Sequence, residues 1–250
     1  GFSDFAGSTL VHACGGAAAL AGVIVLGARE GRFGRRGEKR SMQPFAASSI
    51  PLVTLGTFLL WFGWFGFNGF SQLAMGTFDD VNAISKIAVN THLAGAAGTV
   101  TGAALTRLIG GKTDIVMMLN GALAGLVAIT AEPLTPGPIT AMIIGSIGAV
   151  IMYYGTKLLE NLGLDDVVGA IPVHMFAGIF GTLVVPFTNS DTSFGTQFVG
   201  VISVCVFSFV LSWITFSTLK STVGLRISKA AEKLGTDKAE VGVIAYSIRD

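Results

Sequence analysis

The sequence predicts an all-α fold, a polytopic membrane helical bundle with inverted-topology repeats. Three observations carry this expectation. Only 12% of the residues are charged, about half the ~25% of a soluble domain, and mean hydropathy is +0.69. Seven apolar stretches of roughly the 20 residues that cross a bilayer follow one another with short connectors. Two segments, DFAGSTLVH (Asp4 to His12) and DVVGAIPVH (Asp166 to His174), repeat Asp, Gly, Val and His at the same spacing.

The seven spans are expected at about 6–28, 45–70, 82–108, 114–131, 137–157, 167–187 and 196–220. Residues 1–220 would form a membrane core, and the polar residues 221–250 a tail outside the bilayer. The 34 glycines recur inside apolar runs, where small residues let helix backbones approach in lipid. Cys14 and Cys205 both fall in such runs, which suits packed, reduced thiols rather than a disulfide framework. A net charge of +1 gives no basis for nucleic-acid binding.

Basic residues set the orientation. The connector REGRFGRRGEKR (Arg29 to Arg40) holds six basic and two acidic residues and is expected in the cytoplasm. Alternation then brings Arg107 and Lys112, Lys157, and the tail residues Lys220, Arg226, Lys229 and Lys233 to the same side. Opposite loops carry Asp79, Asp80, Glu132 and Asp191. The expected topology is multi-pass in the cell membrane, with residue 1 outside and the C-terminus inside. An odd number of spans starting outside points to earlier helices of the same protein.

The two repeats enter the membrane from opposite sides, and each has a glycine four residues after its histidine (Gly16, Gly178). Inverted repeats of this kind place a shared site near the midplane. At 1.5 Å per residue, each histidine lies about 12 Å along its helix from its aspartate. Two such approaches across a core about 30 Å thick bring the imidazoles to similar depth, within hydrogen-bond range if the helices pack together. Desolvation disfavours the imidazolium, and a neutral pair can share one proton. Asp4 and Asp166 admit two readings, helix N-caps or functional intramembrane carboxylates.

A second constellation is LLWFGWFGFNGFSQ (Leu59 to Gln72). Trp61, Trp64 and Phe65 could form an interfacial aromatic belt. Trp64, Phe67 and Ser71 also share a helix face, and an aromatic face ending in a hydroxyl suits a small cation. His92 has no counterpart in the repeat and is read as packing or capping.

These residues resemble the ammonium transporter family (Amt/Mep/Rh). The resemblance rests on DFAG…VH at Asp4 to His12, GWFGFN at Gly63 to Asn68, His174, and GLR at Gly224 to Arg226. It implies a homotrimer with one pore per subunit and eleven helices in inverted halves, of which this chain would hold seven, from the fifth onward. By resemblance, His12 and His174 are twin pore histidines and Asp4 is the acidic residue near the recruitment site. Phe67 matches the inner gate phenylalanine, Trp64 and Asn68 the aromatic–asparagine segment, and Ser71 the recruitment hydroxyl. The outer gate phenylalanine and recruitment tryptophan would belong to the preceding helices. The tail GTDKAEVGVIAY (Gly235 to Tyr246) has Val241 and Val243 where the family often has His and Glu, which weakens the expectation of docking by PII-type signal proteins.

The implied function is ammonium or ammonia transport through a hydrophobic pore, with deprotonation at the outer mouth and no cofactor. An ammonium-sensing receptor domain of a signalling protein is the alternative. A metalloenzyme is disfavoured, because carboxylates about 12 Å from the histidines cannot complete a metal's first shell.

Overall fold

The computed structural model describes residues 1–34 and 45–245. Arg35, Arg36, Lys39 and Arg40 of the first connector, and Tyr246 at the end of the tail motif, lie outside the described residues. The chain forms α1 (Ser8–Leu26), α2 (Ile50–Phe70), α3 (Phe78–Gly110), α4 (Ile115–Ile129), α5 (Pro138–Leu162), α6 (Ile171–Phe187) and α7 (Phe194–Thr222). A short α8 (Lys229–Leu234) follows in the tail.

The helix starts obey local chemistry. Side chains of Ser49, Asp114 and Ser193 accept hydrogen bonds from free first-turn amides of α2, α4 and α7. Thr77 and Asp80 form a reciprocal capping box on α3. That box starts α3 at Phe78, four residues before the span expected from hydropathy. Pro51 and Pro138 stand in first turns, where a missing N–H costs nothing.

All seven expected spans are helical, yet only α1, α2, α5 and α7 are long and apolar enough to cross a membrane by themselves. The 33-residue α3 carries Asp79, Asp80, Lys86 and Arg107, which dilute its hydropathy. Helices α4 and α6 are apolar but short, and much of α4 is buried within the bundle.

Small residues draw α3, α4 and α5 together. A Cβ added to Gly121 would lie 2.6 Å from the Gly98 carbonyl oxygen, and one on Gly102 would lie 2.9 Å from that of Met117. Gly145 backs onto the Ala94 backbone and Gly181 onto that of Ala128. Backbones this close gain contact that lipid tails cannot supply. In contrast, α2 turns Phe58, Leu59, Phe62 and Phe70 outward, as a helix in apolar surroundings can.

At the end of the bundle bearing the first connector, charged groups tie the chain to itself. Asp165 accepts hydrogen bonds from the backbone N–H and guanidinium of Arg29, at 2.7–2.9 Å, and pairs with Arg32. Arg32 also pairs with Glu160 at 2.7 Å. From the tail side, Lys220 donates to the Val25 carbonyl at 2.5 Å and Arg226 to that of Ala28 at 2.7 Å. Lys220 thereby satisfies a carbonyl that the end of α1 leaves free, and Arg226 one just beyond it. Arg226 is held in turn by Glu232.

Gly121→Val should overpack the α3–α4 crossing at a cost of about 1–3 kcal/mol, read as a lower Tm in detergent. Gly56→Ala, where a Cβ meets open space, should instead be neutral or stabilise by up to about 1 kcal/mol. Burial opposes ionisation of Asp165, but the hydrogen bonds and charges of Arg29 and Arg32 outweigh it and hold the carboxyl below its ordinary range. A carboxyl depressed by folding stabilises above its unfolded pKa and loses that contribution as pH falls through its folded value. The Tm advantage of wild type over Asp165→Asn should therefore be present at neutral pH and shrink under acid conditions.

Candidate functional site

Each half of the repeat builds the same device. After its aspartate comes a glycine with positive φ, Gly7 at 111° and Gly169 at 78°, a conformation that favours glycine. The turn lets each carboxylate reach back over free amides. Asp4 Oδ2 accepts from the N–H groups of Thr9 and Leu10 at 2.9 and 2.8 Å. Asp166 accepts from Gly169, Ala170 and Ile171 at 2.7–3.1 Å. Of the two readings open for the aspartates, capping is thus realised in both.

Each histidine then sits in a π-helical turn, Ser8–Ala13 and Ile171–Phe176, rather than in continuous α-helix. In the first, the His12 N–H reaches the Gly7 carbonyl five residues back at 3.1 Å. Such turns are rare and recur at functional sites.

The glycines after the histidines explain how the turns meet. A Cβ on Gly16 would lie 2.5 Å from the Met175 backbone nitrogen, beside His174. A Cβ on Gly178 would strike the Ser8 carbonyl oxygen and lie 3.1 Å from the Ala13 nitrogen, beside His12. Each helix therefore uses its glycine to admit the other's histidine turn. The result is a direct hydrogen bond between His12 Nδ1 and His174 Nδ1 at 3.2 Å, with ring centroids 5.2 Å apart.

The aromatic face of α2 closes on this pair. The Trp64 indole stacks on His12 at 4.9 Å and 18°, and Phe67 lies 5.6 Å from the same imidazole. Trp64 donates its indole N–H to Thr130 Oγ at 2.9 Å, which fixes the ring, while the Thr130 hydroxyl donates to the Leu126 carbonyl at 2.7 Å. Ser71, farther along that face, donates to its own helix at the Phe67 carbonyl. Asn68 is fully buried and donates to Thr91 Oγ at 2.9 Å, so its amide group joins α2 to α3. His92 rests against Trp61 and Phe65, at 5.5 and 6.2 Å, as a packing residue.

Several buried polar groups around the site fall outside the positions that the two repeats share. Ser8 donates to the Val127 carbonyl at 2.7 Å, and the Thr9 and Thr182 hydroxyls meet at 2.6 Å. A hydroxyl inside an apolar run is the signal they carried, but its partner depends on helix packing. Among the described residues, no three or more His, Cys, Asp or Glu side chains converge as metal ligands.

Chemically, two neutral imidazoles joined through Nδ1 must differ in tautomer. One then presents an Nε2 acceptor and the other an Nε2–H donor. His12 Nε2 is buried and bonds to no group of the described chain. Asp166→Ala should strip three amides of their acceptor and destabilise the protein by about 0.5–2 kcal/mol, whereas Asp166→Asn, which keeps an acceptor oxygen, should lose less. Thermal unfolding of both variants checks this.

Comparison with known proteins matches this architecture. The model of the Ammonium Transporter Family matches residues 1–246. Ammonium transporter Amt2 of Archaeoglobus fulgidus is 41% identical over 98% of this chain and 55% of its own length. Ammonium transporter Amt1 of Haloferax mediterranei is 36% identical over 98% of this chain and 49% of its own. Among solved structures, a Sensor Amt Protein superposes with a TM-score of 0.88 at 35% identity, covering 96% of this chain and 60% of that one. Candida albicans Mep2 gives 0.79 at 29% identity, over 97% and 56%. The chain thus spans about half the length of the curated relatives it matches. With a whole-chain family match and two histidine helices crossed through paired glycines, the chain belongs to the ammonium transporter family.

Proposed function

We propose that this chain supplies the twin-histidine site of a hydrophobic pore that carries ammonium nitrogen across the cell membrane as neutral ammonia. The observation that carries the reading is the His12–His174 hydrogen bond, walled by Trp64 and Phe67, in a member of this family. A charge at the bilayer centre costs at least ~2.5–3.5 kcal/mol. Ammonium avoids that cost by giving up a proton at the outer mouth, and potassium has none to give.

Ammonia has a lone pair and three N–H groups. It can accept from the Nε2–H of one imidazole and donate to the Nε2 of the other. In this reading Phe67 gates the entrance, Trp64 lines it, and Asp4, Asn68 and Ser71 shape the recruitment region, Asn68 through its hold on Thr91. Asp166 serves the inner turn. Residues 1–220 form the membrane core and 221–250 a cytoplasmic tail, with residue 1 outside. The working unit is a homotrimer. A PII-type regulator is a weaker element, given Val241 and Val243.

Ammonium sensing is the second reading, favoured by the likeness to the solved Sensor Amt Protein. In that role occupancy of the site would be read by a signalling partner and flux would be small.

Labelled methylammonium uptake and membrane current in the full-length protein separate the two. His12→Ala and His174→Ala should each cut uptake about tenfold or more, equal to ~1.4 kcal/mol, and acidic replacements should weaken rejection of potassium. Unchanged flux and selectivity would sink the conduction role. Binding of methylammonium without flux in the wild type would favour sensing.

A further inference from the structure

We propose that Gln197 is a positioning residue that holds the outer carboxylate, Asp4, where it meets the incoming cation. Gln197 stands in the first turn of α7 and is fully buried. No charge, motif or repeat marks it. Its carboxamide grips Ser3 from both sides: Oε1 accepts the Ser3 N–H at 2.8 Å, and Nε2 donates to the Ser3 carbonyl at 2.6 Å. The second Nε2 hydrogen goes to the Thr182 carbonyl at 3.1 Å. One side chain thus satisfies three backbone groups of two separate segments, which water cannot serve inside lipid.

Asp4 is the next residue. With both polar groups of Ser3 held, the peptide planes that flank Ser3 are fixed, and so is the start of Asp4. On its other side, Phe5 and Ala6 donate their N–H groups to the Ala131 and Thr130 carbonyls at 2.8 and 3.0 Å. Asp4 is therefore bracketed, by α7 through Gln197 and by the end of α4. In that position Oδ2 reaches the Thr9 and Leu10 amides, while Oδ1 is buried without a partner in the described chain. Gln197 also steadies the His12 turn, because the Thr182 whose carbonyl it holds meets Thr9 through its hydroxyl.

The inference rests on the conduction reading above and adds a specific consequence. A residue that positions the recruiting carboxylate should affect how much substrate is needed to fill the site more than how fast the filled pore conducts. Loss of general packing would lower the maximal rate or the protein level without that preference.

The test compares methylammonium uptake by the full-length transporter in wild type, Gln197→Met and Gln197→Glu, normalised to protein in the membrane. Gln197→Met keeps the length and removes every hydrogen bond. It should raise the half-saturation concentration about threefold or more, with the maximal rate within about twofold of wild type. Gln197→Glu retains an acceptor oxygen and, when protonated, an O–H donor, a form that burial favours; it should lie nearer wild type. An unchanged half-saturation concentration in Gln197→Met, whatever the maximal rate, overturns the proposal, as does an equal rise in both variants. If Gln197→Met fails to reach the membrane, Gln197→Asn, one methylene too short to span Ser3 and Thr182, takes its place under the same criterion. Absence of saturable, His12-dependent uptake in the wild type would overturn the conduction reading as well, whereas normal wild-type uptake with unaffected variants overturns only the role of Gln197.

Discussion

Everything at the centre of this molecule depends on two helix backbones being allowed to touch. Where α1 and α6 cross, Gly16 faces the backbone beside His174, and Gly178 faces the backbone beside His12. Any side chain at either glycine would push one helix away from the other. The 3.2 Å Nδ1–Nδ1 bond would then have to stretch, since imidazoles on rigid helices cannot follow independently. The hydrogen bond is the visible outcome, but steric permission for the crossing comes first.

A second constraint is that polar groups inside apolar surroundings need partners within the protein. The structure meets it with short-range pairs. Trp64 is anchored on Thr130, Ser8 on Val127, Thr9 on Thr182 and Asn68 on Thr91. The π turns place added demands on their first amides, and Asp4 and Asp166 meet them from the preceding loops. The two carboxylates thus do the same structural work in both halves of the repeat, each shaping the turn that carries a histidine. The fully satisfied Gln197 joins this network from a third helix, where it ties α7 to the segment carrying Asp4 by hydrogen bonds, beside the packing of Phe2 on Gly200.

The end of the bundle near the first connector follows a different rule. There, full charges replace hydroxyls as the connecting groups. Arg29 and Arg32 meet at Asp165, next to the carboxylate that caps the His174 turn, while Lys220 and Arg226 hold the carbonyls of Val25, in the last turn of α1, and Ala28, just beyond it. Both histidine helices are thus tied down at the same end by groups far from the site.

The membrane class, the seven helices and the twin histidines were legible in the sequence because they depend on quantities a chain carries locally: length, hydropathy, and the spacing of Asp, Gly and His. The glycines of the repeat were visible too, though not their separate duties, one for positive φ and one for close approach. Tertiary structure alone decided the rest. Hydropathy cannot reveal that the histidine segments relax into π turns, since the added residue per turn is set by caps and crossing. It cannot tell which face of α2 stacks on His12, nor that Asn68 turns toward α3. Gln197 is the clearest case: an isolated polar residue has no period and no motif, and its meaning exists only when Ser3 and Thr182 arrive from 194 and 15 residues away in the chain.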